Sequence, residues 1–186
     1  MFYEKLEATR EGREKILEVY PDIRNLPQDL QKKTVDLFFS AWKSSGVEKL
    51  EDLRFSQHTD YPLHLHIREA VQIGMSLCRY AEEHWEDDWT GSIDKTVLLQ
   101  ALLLHDIDKP IIVNRPETEK EIAHGVLGAV MARDFGFDEQ VISLIACHSP
   151  KSPVHPGNAM MQIISYADLF SADHILLNEG RKGFFQ

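Results

Sequence analysis

Histidines and aspartates at helical spacing are the residues of this chain that could do chemistry. The segment LLLHDIDKP, Leu102 to Pro110, runs from a leucine block straight into His105 and Asp106, then Asp108, Lys109 and Pro110. Four further polar residues sit on apolar stripes. His66 falls with Leu63, Ala70, Ile73 and Leu77, and His124 with Leu127, Gly128 and Met131. His148 ends the stripe Val141, Leu144, Ile145, and Asp168 ends Met161, Ile164, Ser165. These intervals follow the 3.6-residue period, so each group lies on the inward face of its helix. Burying imidazoles and carboxylates costs several kcal/mol unless they are paired or coordinate a metal. Any one of them alone reads as a satisfied core or helix-end group. Several converging in one core read as a metal site of the kind helix bundles build from inward-facing side chains. Nitrogen and oxygen donors without a thiolate suit a divalent ion such as iron, manganese, zinc, cobalt or nickel.

The elements that must position these residues are helices. Residues 3–18 and 28–44 read as amphipathic helices separated by YPDIRNLP, with Pro27 in the first turn of the second and Gly46 as its C-terminal cap. A short helix is expected over 47–54, followed by a polar link, SQHTDYP. Five more are expected over 63–84, 92–106, 119–135, 138–148 and 158–175. Thr118 and Glu121 suggest a T-x-x-E box at the start of the third of these, and Asp138 suggests a cap for the fourth, which Pro150 closes. Pro110 is read as the breaker that ends the leucine-rich helix. No alternating strand pattern stands out. The fold class is all-α, one globular unit with an N-terminal helical segment over 1–57 and a helical core over 58–186.

Composition narrows the partners. Twenty basic against 30 acidic residues leave a net charge of −10, which argues against a nucleic-acid polymer or an anionic membrane as partner. Cys78 and Cys147 form no CxxC pair and read as reduced core residues. The charged N-terminus lacks an apolar signal core, and no apolar run reaches a membrane span, so a cytoplasmic protein is expected.

The order H…HD…H…H…D resembles the HD-domain superfamily of metal-dependent phosphohydrolases. The local contexts carry the likeness: HIREAVQIG, ALLLHDIDKP, EIAHGVLGAVMARDFGF, VISLIACHSP and IISYADLFSAD, together spanning about residues 62–175. The resemblance implies a helical bundle of the HD type, with His66, His105, Asp106 and Asp168 as ligands of one metal. It implies that Asp106 would bridge to a second ion held by His124 and His148. Asp108 departs from the pattern, since many relatives carry a small residue there. Facing solvent is the first expectation for that carboxylate, an approach to the site the alternative.

A two-ion centre would clamp a phosphate and make hydroxide available near pH 7 for in-line attack on phosphorus. Asp106 and Lys109 are then the catalytic candidates, Lys109 matching the lysine of the family's HD-x-x-K. Lys109, Arg115 and Lys151 are the candidate cations for the remaining phosphate oxygens. The implied substrate is a small phosphorylated molecule such as a nucleotide. Two other readings share the ligands: a di-iron HD-domain oxygenase, and a non-catalytic HD module that binds ligands. His64 could stand behind the ligands or in the pocket. His58, His84, His155 and His174 read as surface groups, and Glu82, Glu83, Glu86, Asp87 and Asp88 as a solvated acidic helix end. LFFSAWKSSG reads as helical packing or a homodimer contact.

Overall fold

The computed structural model describes residues 2–85 and 93–184. Glu86, Asp87 and Asp88 lie outside the described residues. The first helix, α1 (Arg10–Val19), starts later than its amphipathic pattern suggests, because Thr9 caps it by accepting from Gly12 N at 3.0 Å. Residues 3–8, expected as helix, instead run beside α2 (Gln28–Ser45). Asp36, Ser40 and Ser44, four residues apart on α2, accept from the backbone N–H groups of Ala8, Leu6 and Glu4. Polar side chains thus satisfy a segment that has no helical ladder of its own. Gly46 ends α2 in the left-handed region at φ 78°, as a C-terminal cap should. Pro27 sits one position before the helix rather than in its first turn.

The link between 47 and 62 holds two features the sequence pattern hid. Leu50–Asp52 forms a single 3₁₀ turn, and a small antiparallel hairpin follows, β1 (Arg54–Ser56) with β2 (Thr59–Pro62). Arg54 pairs with Pro62 and Ser56 with Thr59, with an irregularity around Phe55. Three and four residues are too few for a two-residue alternation to stand out.

The core begins with α3 (Leu63–His84) and α4 (Lys95–Leu104). Every residue of α4 from Val97 to Leu104 is buried, as a helix apolar on every face but for Gln100 must be. Gly74 lets α3 approach closely: a Cβ there would stand 2.6 Å from the methyl carbons of Leu102. The leucine helix stops at Leu104, and residues 105–108 form a turn. Pro110 does not end the chain's helicity but sits in the first turn of a new short helix, α5 (Lys109–Asn114), where its missing N–H costs nothing. α5 packs on α2 and on β1.

The helix expected over 119–135 is two pieces, α6 (Pro116–Glu121) and α7 (Val126–Asp134). Pro116 opens α6, so Thr118 lies inside it and caps nothing. α8 (Glu139–Cys147) and α9 (Ala159–Asn178) complete the bundle. Asp138 and Asn158 cap them through Gln140 N and Met161 N. α9 packs along α3, and α8 against α4 and α7. The described residues are overwhelmingly helical, an all-α fold with one minor hairpin. None of these helices is long and apolar enough to cross a membrane. Phe38, Phe39 and Trp42 of LFFSAWKSSG are buried in the core.

Candidate metal centre

The bundle brings six side chains to one place from five different parts of the chain. His66 comes from the first turn of α3, His105 and Asp106 from the end of α4, and His124 from the break between α6 and α7. His148 caps α8, and Asp168 sits midway along α9. They form two groups that share Asp106. One is His66, His105, Asp106 and Asp168; the other is Asp106, His124 and His148. All are buried except His124, whose side chain keeps 20% of its surface exposed.

Distances within the groups are those of ligands around a common ion. His66 Nε2 stands 3.1 Å from His105 Nε2, 3.1 Å from Asp106 Oδ2 and 3.2 Å from Asp168 Oδ1. His105 Nε2 lies 3.4 Å from Asp106 Oδ2 and 3.7 Å from Asp168 Oδ1. In the second group, Asp106 Oδ1 is 3.3 Å from His124 Nε2 and 3.7 Å from His148 Nε2. Two donors on an ion with bonds of about 2.1 Å stand roughly 3.0–3.6 Å apart at angles of about 90–120°, so most of these pairs fit and the two at 3.7 Å lie at the wide end.

The ring tautomers point the same way. His105 Nδ1–H donates to the Leu102 carbonyl at 2.8 Å, and His148 Nδ1–H to the Ile145 carbonyl at 2.7 Å. His66 Nδ1–H donates to Ser171 Oγ at 2.9 Å, because the serine hydroxyl itself donates to Glu69 Oε2 at 2.7 Å. His124 Nδ1 lies 2.9 Å from Asp108 Oδ1. With Nδ1 engaged in this way, each of the four rings turns its Nε2 inward, as the rings of metal-binding histidines do. Two such nitrogens 3.1 Å apart repel unless a cation stands between them. His148 Nε2 and both Asp106 oxygens are buried with no aligned hydrogen-bond partner. The donor set fits divalent metal ions.

Among the described residues, Lys109 is the one lysine or arginine ion-paired with the cluster. Its Nζ lies 2.6 Å from Asp106 Oδ2, as an ion pair rather than an aligned hydrogen bond, and 3.7 Å above the Phe55 ring. Burial opposes ionisation of Asp106, yet Lys109 and the histidines around it hold the carboxyl well below its ordinary range. Asp168 is lowered for a similar reason, with His66 overcoming the effect of burial. Burial disfavours the His66 cation, but the Asp106 and Asp168 carboxylates raise its pKa.

A cavity of about 460 Å³ opens onto this cluster. His124 and Asp168, one ligand from each group, form part of its wall beside Lys109. Phe55, Ile112, Val113, Val126 and Phe184 supply apolar surface, and Lys151 and His58 stand at the side. Phe55 of the hairpin also covers His66, with the two rings 4.4 Å apart.

A family model described as HD domain matches residues 64–175, more than half of the chain and all six of these side chains. The chain belongs to the HD domain family. No curated protein and no solved structure matched it.

Other expectations change once the HD domain is folded. Asp108 does not face solvent; it is completely buried and bonded to His124, Gly125 N and Gly128 N. Arg115 is drawn away from the cavity, its guanidinium donating to the Ser44 carbonyl at the end of α2. His58 and His174 are exposed, as expected of surface groups, but His58 also lines the cavity and His174 holds Glu69 at 3.0 Å, joining the chain of contacts behind His66. His64 lies away from the cluster, with Glu51, Arg68 and Lys15 as its charged neighbours, and burial lowers its pKa. Ser171 and Glu69 carried a readable signal: each falls three residues after a ligand, on the same helical face.

Proposed function

We propose that this HD-domain protein is a phosphohydrolase that cleaves a phosphoester or phosphoanhydride of a small substrate, a nucleotide being the best fit, at a centre of two divalent ions. The observation that supports it most is the opening of the cavity onto both halves of the cluster, through His124 and Asp168. A purely structural metal site is normally closed by protein ligands, whereas a catalytic one keeps access. The cavity volume lies within the range of about 300–1,000 Å³ usual for small-molecule sites.

His66, His105, Asp106 and Asp168 would hold one ion, and Asp106, His124 and His148 the other. Such ions, when bound, offset phosphate charge and lower the pKa of water toward 7. The protein's own part is positioning and charge. Lys109 Nζ sits beside Asp106 at the cavity wall, where its ammonium can meet a phosphate oxygen. Lys151, exposed just beyond His148, offers a second cation on the same wall. The Phe55 ring faces the Lys109 ammonium and, with Phe184 and Val126, gives the organic part of the substrate an apolar wall. Burial of the cluster strengthens the contacts of Lys109 and Asp106 relative to water.

The test is phosphate or nucleotide release by protein loaded with iron, manganese, cobalt, nickel or zinc, lost in D106A. Failure of every metal across a broad phosphoester panel sinks the reading. Substrate-dependent dioxygen consumption by the iron form would replace it with oxygenase chemistry.

A further inference from the structure

Asp108 is a complete carboxylate in a fully buried position, and both of its oxygens are engaged. Oδ2 accepts from Gly125 N at 2.7 Å and from Gly128 N at 3.3 Å, the first free N–H groups of α7. It thus caps that helix from another part of the chain, with its charge at the positive end of the helix dipole. Oδ1 faces His124 Nδ1 at 2.9 Å. The backbone accommodates this closely. Gly125 has φ 82°, and a Cβ on it would meet the Ile145 and Ala146 carbonyls at 3.1 and 3.3 Å. A Cβ on Gly128 would crowd Ile145 and Ile107 at 3.1 and 3.2 Å. Burying a carboxylate is costly without full satisfaction, and helix capping alone needs only one of its oxygens.

We infer that Asp108 is a positioning residue for the second ion: it fixes His124 with its Nδ1 protonated, so that the Nε2 lone pair faces Asp106 and His148. This rests on the two-ion reading above. His105 and His148 are fixed by backbone carbonyls, and His66 by a neutral hydroxyl. His124 alone among the four is backed directly by a carboxylate, which makes a histidine a more basic ligand. It is also the ligand that sits in a helix break and touches the cavity, so it has the least packing to hold it.

The variant D108N separates the two jobs of the side chain. Its amide oxygen can take the place of Oδ2, keeping both helix N–H bonds. Its NH₂ group then faces His124 and turns Nδ1 into an acceptor, which puts the proton on Nε2 where the ion should bind. Titrating wild-type protein and D108N with zinc, under competition from a chelator, should show two ions per chain in the wild type. D108N should keep the first ion at wild-type affinity and bind the second at least about 10–100-fold more weakly. H124A, with Asp108 intact, should give the same one-ion result. If D108N does not fold, nitrogen NMR of zinc-loaded wild-type protein still decides, since the His124 ring must carry its proton on Nδ1. Two ions of unchanged affinity in D108N, or an Nε2-protonated His124, overturn the role assigned to Asp108. A wild-type protein that never takes a second ion overturns the two-ion reading and this inference with it.

Discussion

His66 Nδ1 and Ser171 Oγ stand 2.9 Å apart, joining α3 to α9 behind the cluster. The serine passes the contact on to Glu69, which His174 holds from the solvent side. His66, a ligand of the first ion in the proposed centre, is therefore steadied by a chain that reaches the surface. S171A removes the acceptor for the His66 N–H and frees the ring to take either tautomer. Affinity for the first ion should fall roughly 10–100-fold, as for other partners behind metal ligands. E69Q, which can still accept from the serine, should lose less. Chelator competition measures both; equal affinity in S171A would reduce the serine to packing.

Lys109 offsets a carboxylate that is otherwise buried among imidazoles. Removing one partner of a buried pair costs about 3–5 kcal/mol, because the other charge is left unsatisfied. K109M should therefore destabilise the metal-free protein by a few kcal/mol and the metal-loaded protein by much less, since ions take over the neutralising role. Thermal unfolding of both forms tests this. In the loaded form, turnover should fall on the order of 10²-fold, the usual loss for one charge-stabilising donor. A variant equally destabilised with and without metal would make Lys109 a packing residue.

Proton competition sets the pH dependence. Burial disfavours the His124 cation, but Asp108 and Asp106 outweigh it and raise the ring's pKa to about 10. An unfolded chain would show about 6.5. The folded value is the higher one, so this contribution to metal-free stability is complete below about pH 6.5 and disappears as pH rises through 10. Metal-free protein should lose stability between pH 7 and 10, followed by urea unfolding. Ion binding at the same site must expel that proton, so affinity should rise over the same interval and fall in acid. Calorimetry in buffers of different ionisation enthalpy should record proton release at pH 7.5. Binding without proton release would mean that His124 is not a ligand.

The parts of this site legible in the sequence are those carried by long or strongly apolar helices. His66 could be placed because α3 repeats the helical period over many turns, Asp168 because it ends the stripe Met161, Ile164, Ser165, and His105-Asp106 because a helix almost wholly apolar has to end inside the core. What stayed hidden depended on short, irregular backbone. Nothing in the helical period places Asp108, because the chain turns at residues 105–108, and that turn buries both carboxylates. His124 has the right helical spacing to Leu127 and Met131, yet it stands in a break that Gly125 makes possible at φ 82°. Arg115 is a candidate phosphate cation by sequence alone; only the packing of α5 on α2 puts the Ser44 carbonyl within its reach. Phe55 lies in a hairpin too short to announce itself.

Close packing between α3 and α4 gives a prediction independent of the metal. Gly74 faces Leu102, one turn before His105, and a methyl group there would stand 2.6 Å from two Leu102 carbons. Leu102 is itself 1% exposed, so it has little room to move aside. G74A should cost about 1–3 kcal/mol by overpacking, lowering Tm by about 2–4 °C for each kcal/mol. The strain falls between the helices that carry His66 and His105, whose Nε2 atoms must stay 3.1 Å apart. First-ion affinity should therefore drop in G74A while the second site, held by Asp106, His124 and His148, changes less. The double variant G74A/L102A, which opens the space, should restore the first-ion affinity though not the full stability. Recovery of neither quantity would show that Gly74 matters to the helix itself and not to the spacing of the two histidines.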